Sequence, residues 1–460
     1  MRGFAPQIGI GLSAIALAPL ACSSSESGTI ELVTGQETDT FTQAPVPVTF
    51  EVDAIDSSGN TTPIKRESAD AGTIDLGSFD PNADGIIQVS GFDVANNKVI
   101  GGQSVVVAFG WLDGVTLPLF VQRTGEMARL PNPPTDSRPS PVVGVLAARY
   151  LVVAGGDDAT LAPTTLVYDL AGLAPISPAI TLPLTPTSMA FVAEPTSGDP
   201  LGWFVNDTGV EQFDFDTGVA DSVTLPTGFS FADISGGATV SAPDGSQYIV
   251  GATRSSGVAT KAVLELDPTG DPSWLTLADA RLGAAAAWVP NVGLVVTGGN
   301  MMGDTTAEGA EVVAIGSTVG GSTGPYAPDL SIGSGAAALD GSHVLVAGGL
   351  LPDGSSAGVR VITLSCTAQC TPTPRQPLGV PITNAQAFAV NASSGVVVGS
   401  EPSTGQTPGL THVYRITSSA TTEVATKVAH IQAAAVASPI GVVGSVLLVG
   451  GAPAIESLGL

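Results

Sequence analysis

The phrase YLVVAGG at residues 150–156 returns as LVVTGG at 294–299, VLVAGG at 344–349 and VLLVGG at 446–451, each an apolar run closed by two glycines. Weaker copies fall between them: WFVND ending at Asn206 and Asp207, YIVGA ending at Gly251 and Ala252, and VVVGS ending at Gly399 and Ser400. From Gly155 the successive steps are 51, 45, 47, 50, 51 and 51 residues, which makes seven units. A period near fifty means one supersecondary unit stacked many times. That is how a chain of 460 residues avoids a single oversized core. Further strands follow each phrase, beginning with TTLVYDL (164–170) and continuing as VEQFDF (210–215), VLELD (263–267), EVVAI (311–315), VRVITL (359–364) and THVYRI (411–416). The pairs Gly155/Gly156, Gly298/Gly299, Gly348/Gly349 and Gly450/Gly451 read as backbone that turns with φ values side chains resist, where units converge closely on a central channel.

A strand ending in paired glycines at this period resembles the kelch repeat of the kelch and galactose-oxidase-type propellers. The resemblance covers residues 118–460 and implies a kelch-type β-propeller of about seven four-stranded blades. The weak unit at 187–227 keeps a count of six open. Arg138 and Arg281 each lie seventeen residues before the first glycine of a pair, Gly155 and Gly298. After Gly451 only APAIESLGL remains, enough for one strand, so the last blade lacks its outermost one. The segment LPLFVQRTGEMARLP (117–131) is expected to supply it, closing the ring by pairing its start with its end and hiding the open edges. The resemblance carries fold and no activity. The copper site of some members resembles two tyrosines, two histidines and a cysteine-linked ring, which the five Tyr and three scattered His here do not assemble.

Residues 1–22, MRGFAPQIGIGLSAIALAPLAC, read as an export signal too short to span a bilayer. Leu20-Ala21-Cys22 followed by serines resembles the lipobox of bacterial lipoproteins, with Pro19 where that box has Leu. The resemblance implies lipidation at Cys22 and an exported protein anchored in the bacterial cell envelope, at the outer membrane or cell surface. Residues 23–28 are then a Ser-rich tether. From 29 to 117, short alternating runs such as VPVTFEVDAI (46–55) and GIIQVSGFDV (85–94) suggest an immunoglobulin-like β-sandwich. Within it Asp80, Asn82, Asp84 and Gly85 spell the start of a calcium loop, yet position twelve is Gly91 in place of the bidentate Glu; a plain Asx turn is the competing reading.

The expected class is thus all-β, in keeping with 57 Gly, 35 Pro and 43% hydrophobic residues. A net charge of −26, from 41 acidic against 15 basic residues, lacks the basic footprint that nucleic acid or an anionic membrane surface requires. Membrane attachment is expected through the lipid alone. Cys366 and Cys370, in a Thr/Pro-rich loop of an exported protein, are expected to form a local disulfide. No G-x-S-x-G, H-E-x-x-H or P-loop occurs, so acid/base work would fall to carboxylates. Asp157, Asp158 and Asp207 follow strand ends and line a channel face or cap turns. His343 and His412 read as edge residues; Trp203, Trp274 and Trp288 pack between blades or offer a platform for sugars. No catalytic residue, cofactor or metal is assigned. The favoured function is a non-catalytic module binding an envelope protein or glycan; the rival is a carbohydrate-active enzyme using acidic loop residues.

Overall fold

A computed structural model describes residues 28–69, 73–77, 83–193, 200–215, 217–299, 309–322, 329–365, 371–405 and 407–460. Cys22, Asp80, Asn82, Cys366 and Cys370 lie outside the described residues, and with them the lipid, calcium and disulfide expectations. Among the described residues no helix is long and apolar enough to cross a membrane.

Seven four-stranded antiparallel sheets account for the repeat. Blade 1 runs Pro141–Leu146, Tyr150–Gly155, Thr164–Asp169 and Ala174–Thr181, in that spatial order. Blades 2 to 6 follow at 188–222, 238–281, 285–322, 332–374 and 383–424. Blade 7 takes Ala434–Ala437, Val446–Val449 and Ile455–Leu458 from the end of the chain and Met127–Arg129 from near its start. The first strand of every blade touches the first strand of the next, and that of blade 7 touches that of blade 1. The seven sheets therefore form a closed β-propeller with the first strands innermost.

The physical reason the second strands read as unbroken apolar runs is that both their faces are buried. In blade 1, Leu151 and Val153 pack into the core shared with blade 7, while Val152 and Ala154 pack into the core shared with blade 2. Side chains alternate across a strand, so one run serves two neighbours. The same arrangement yields a separate apolar core at each of the seven junctions. A fully buried Val or Leu contributes about 1.5–3 kcal/mol, and no single core carries the ring.

Closure uses less of the 117–131 segment than its sequence suggests. Met127, Ala128 and Arg129 pair with Leu458, Ser457 and Glu456, and the Leu130 amide donates to the Ile455 carbonyl at 2.9 Å. Thr116–Phe120 pairs in parallel with Gly28–Val33, and Gln122 and Arg123 pair with Gly101 and Ile100. The division at 117/118 is thereby corrected: the chain leaves the amino-terminal unit only after Arg123. Leu117 and Leu119 explain the shift, because their side chains are buried in the amino-terminal core.

That unit has a three-stranded sheet, with Gly28–Val33 between Thr73–Gly77 and Thr116–Phe120. The larger sheet has Thr49–Asp56, Thr61–Ser68, Asp84–Phe92, Lys98–Gln103 and Gln122–Arg123, and Val107–Ala108 pairs with the start of Asp84–Phe92. The two enclose one core containing Ile30, Phe50, Val52, Ile74, Ile87 and Leu119. Val33, Val105 and Phe120 join the core between blades 7 and 1, and the Gln103 side-chain amide donates to the Pro439 carbonyl at 3.1 Å. The unit therefore sits on the side of the ring opposite the glycine pairs.

Candidate functional site

At the glycine end, Gly155/Gly156, Gly298/Gly299, Gly348/Gly349 and Gly450/Gly451 all have φ between 63° and 94°, where glycine alone is free of strain. Two parts of the sequence expectation for these pairs are corrected. They do not uniformly end their strands: Gly155 is the last residue of its strand with Gly156 beyond it, Gly298, Gly299, Gly450 and Gly451 follow strands that end at Thr297 and Val449, and Gly348 and Gly349 lie inside His343–Leu350. Nor does convergence on the channel explain them, since they belong to second strands, one strand back from the channel wall. The cause is the close docking of linkers between blades. A side chain on Gly155 would collide with the Pro186 carbonyl of the linker into blade 2, and one on Gly156 with the Pro139 carbonyl of the linker into its own blade. The amides of Gly299, Gly349 and Gly451 donate to the carbonyls of Ser331 at 2.7 Å, Ile382 at 2.8 Å and Arg138 at 2.9 Å, each on the linker into the next blade.

The seventeen-residue offset has a structural cause as well. Arg138 Nη1 donates to the Gly155 carbonyl at 3.1 Å, and Arg281 Nη1 to the Gly298 carbonyl at 2.9 Å. Both arginines are buried and lie where the chain enters the blade.

Buried charge near these carbonyls is paired, as it must be. Arg281 Nε donates to Glu311 at 3.0 Å, and Glu311 also accepts the Ala278 amide at 2.7 Å. Burial raises the Glu311 carboxyl above its ordinary range against the pull of Arg281. Blade 7 repeats the plan with other residues: His430 Nδ1 donates to the Gly450 carbonyl at 2.7 Å, Nε2 faces Glu456 at 3.3 Å, and Glu456 accepts the Lys427 and Val428 amides. In blade 5 the polarity is reversed. Asp329 lies on the linker and Arg360 on the third strand, with Nε donating to Asp329 at 2.9 Å. Ser334 Oγ donates to the Gly348 carbonyl at 2.7 Å.

Among the acidic candidates of this end, Asp158 is a turn former. Asp158 accepts the Thr160 amide at 2.8 Å and its hydroxyl at 2.6 Å, bonds that lower its carboxyl pKa. Asn206 does the same for Thr208 and Gly209. Asp157 and Asp207 are exposed. His412 lies between Glu423 at 2.6 Å and Glu401 at 3.0 Å. Among the described residues no group of His, Cys, Asp or Glu converges as a metal site; Asp84 is exposed at the start of its strand and its backbone pairs with Ala108.

The opposite mouth is built differently. Here the first strands end: Ile332–Ala338 reads IGSGAAA and closes in alanines, and Ala285–Val289 reads AAAWV and places Trp288 at this end. Small side chains leave a cavity of about 480 Å³ lined by Pro243, Trp288, Ala338, Asp340 and Phe388. A second cavity of about 550 Å³ shares Phe388 and Ala389 with the first and continues to Ile55, Ile86, Gln88 and Gln103 of the amino-terminal unit. Trp288 is half-buried and stacks on Tyr248, with ring centroids 5.2 Å apart and planes at 15°. Burial, then Glu265, raises the Tyr248 phenol.

Asp340 is the one carboxylate among the described residues lining these cavities. His343 Nδ1 lies 2.9 Å from it, and it accepts the Ser342 amide at 2.7 Å. The bond from His343, followed by that from Ser342, holds its carboxyl down to about 2. Trp203 is buried between blades 2 and 3, and Trp274 donates its indole N–H to the Pro226 carbonyl at 2.9 Å. Of the three tryptophans flagged in the sequence only Trp288 reaches the mouth. Phe388 carries no local mark: a lone Phe in the first strand Thr383–Asn391 reads as core. A third groove of about 490 Å³, between the outer edges of blades 6 and 7, holds Glu126, Glu423, Arg415 and Lys427. There Glu126 pairs with Lys427 at 3.1 Å.

No protein-family model and no curated protein matches the sequence. Among solved structures, the WD40 domain of Toxoplasma gondii coronin is similar at 12% identity, TM-score 0.41, over 73% of this chain and 86% of that one. The structure of U3-55K is similar at 9% identity, TM-score 0.37, over 69% and 84%. A gluconolactonase from Xanthomonas campestris is similar at 16% identity, TM-score 0.32, over 59% and 86%. The propeller stands on the strand order above.

Proposed function

We propose that this chain is a kelch-type propeller of the bacterial cell envelope, anchored by a lipid on Cys22 and spaced from the membrane by an immunoglobulin-like unit. It binds a protein or glycan without transforming it. The observation that carries this reading is the pair of largely apolar cavities at the capped mouth, which share Phe388 and of which one is also lined by Trp288. Concave sites with aromatic walls and few polar groups are where ligands bury their surface. Indole and phenyl rings take the apolar face of a sugar or an apolar side chain. Hydrolysis of a glycosidic bond uses two carboxylates across a cleft, and Asp340 is tied into a turn by His343, which weighs toward binding.

Residues 23–460, produced without the lipid, are to be tested for saturable binding across a panel of glycans and of solubilised envelope proteins. Binding that falls at least tenfold in Phe388→Ala, with no product formed, is the expected result. Turnover of a bound sugar, or binding unchanged in Phe388→Ala, contradicts the proposal.

A further inference from the structure

The amino-terminal unit presents one aromatic ring at the point where the chain enters it. Phe109–Leu112 is a single 3-10 turn. At three residues per turn Phe109 and Leu112 stand on the same side, and both are buried in the amino-terminal core. Trp111 is thereby held outward and is 79% exposed; Val115, four residues on, is 47% exposed. Gly28 lies against this turn, since a side chain there would collide with the Leu112 carbonyl, and the Thr29 amide donates to the Val115 carbonyl at 3.0 Å.

From this point the parallel strands Gly28–Val33 and Thr116–Phe120 run toward the ring, where Val33 and Phe120 enter the core of blades 7 and 1. Five residue steps place Gly28 roughly 16 Å from that contact, and four place Thr116 roughly 13 Å from it. Trp111, beside Leu112, therefore lies at the Gly28 end of these strands, away from their contact with blades 7 and 1. Six residue steps separate Cys22 from Gly28, and a fully extended chain covers them in at most about 22 Å. A lipid on Cys22 brings a bilayer within that distance of the turn.

We propose that Trp111, with Val115, seats in the headgroup layer of the membrane that holds the Cys22 lipid, giving the protein a second contact that fixes how the propeller stands. This inference rests on the lipid-anchor reading above. An indole has an apolar body and a polar N–H, the combination that favours the boundary between hydrocarbon and water. Asp113, exposed beside it, and the net charge of −26 are repelled by anionic lipid, so the surface that fits is zwitterionic.

The test uses the full acylated protein in phosphatidylcholine vesicles whose acyl chains carry bromine, which quenches nearby indoles. Intact mass reports acylation of Cys22 separately. The expected result is a quenchable component of the tryptophan fluorescence in the wild type that is lost in Trp111→Phe, with both proteins acylated and equally vesicle-bound. Acylated, vesicle-bound protein with no quenching in either form overturns the seating of Trp111 and leaves the anchor standing. A mature protein with no acyl group on Cys22 overturns the anchor and this inference together.

Discussion

The two ends of the propeller solve opposite problems with the same repeat. At the glycine end each incoming linker meets a second strand at a crowded turn, and the freed carbonyls of Gly155, Gly298 and Gly450 are taken up by Arg138, Arg281 and His430. Polar groups there are spent on one another. At the capped mouth alanines such as Ala338, Ala387 and Ala389 fill less space than the ring encloses, and the aromatic walls of the cavity have unfilled volume before them. One end satisfies its polar groups among themselves; the other holds unfilled volume, where we place recognition. A propeller can therefore devote one end to holding its blades and leave the other to recognition.

The sharpest way to break the contrast is Arg281→Met. It strands Glu311 inside the junction of blades 3 and 4, and removal of one partner from a buried pair costs about 3–5 kcal/mol. Urea unfolding should show that loss, with most of it recovered when Glu311→Met is added. Gly155→Ala places a side chain at φ 63° against the Pro186 carbonyl; a loss of about 1–3 kcal/mol is expected for backbone forced into that region, read from the same curves.

At the mouth the expected stability effects are smaller. Phe388→Ala empties a half-buried position already facing a cavity, so thermal unfolding should move by the equivalent of about 1 kcal/mol, at the low end of typical substitutions. Asp340→Asn tests the turn at the rim. The Asp340 carboxyl is held to about 2 in the folded chain against an ordinary 3.8, so its contribution is present above pH 4 and fades as the pH falls toward 2. The variant should lose stability less steeply than the wild type between those values in an acid titration followed by circular dichroism. Because the group is exposed, the difference in slope is small.

Much of the ring was legible because its strands are buried on both faces and its crowded turns demand glycine, two constraints that leave a mark at fixed spacing. The mark was read correctly and its cause was not: the amides of Gly299 and Gly349 reach the next linker, a contact between segments some thirty residues apart that no local pattern announces. Where the constraint lapses, so does the mark. Asn206 and Gly251 follow their strands and Gly399 lies inside its own, all without positive φ, and blade 2 is packed in part by Phe191, Phe204, Phe213 and Phe215. The offset of Arg138 and Arg281 was visible as a number, and its cause is the glycine carbonyl each guanidinium reaches. His430 breaks the offset because the turn between the first two strands of blade 7, 438–445, is longer than its counterparts at 147–149 and 290–292, so that it stands twenty residues before Gly450. The mouth was not legible, since a cavity is made by what several distant alanines leave empty, and no local pattern encodes an absence of volume. Residues 118–120 read as part of the ring because an apolar run does not state which of two adjacent cores it enters.

The division of labour between the two ends is tested most directly by measuring unfolding temperature and ligand affinity together in Arg281→Met and Phe388→Ala, using whichever panel component binds residues 23–460. The expected result is a double separation. Arg281→Met lowers the unfolding temperature by several degrees and keeps the wild-type affinity below that transition, while Phe388→Ala keeps the temperature nearly unchanged and loses affinity at least tenfold. Affinity lost in Arg281→Met while still folded, with Phe388→Ala binding as the wild type does, would place recognition at the glycine end and contradict the account.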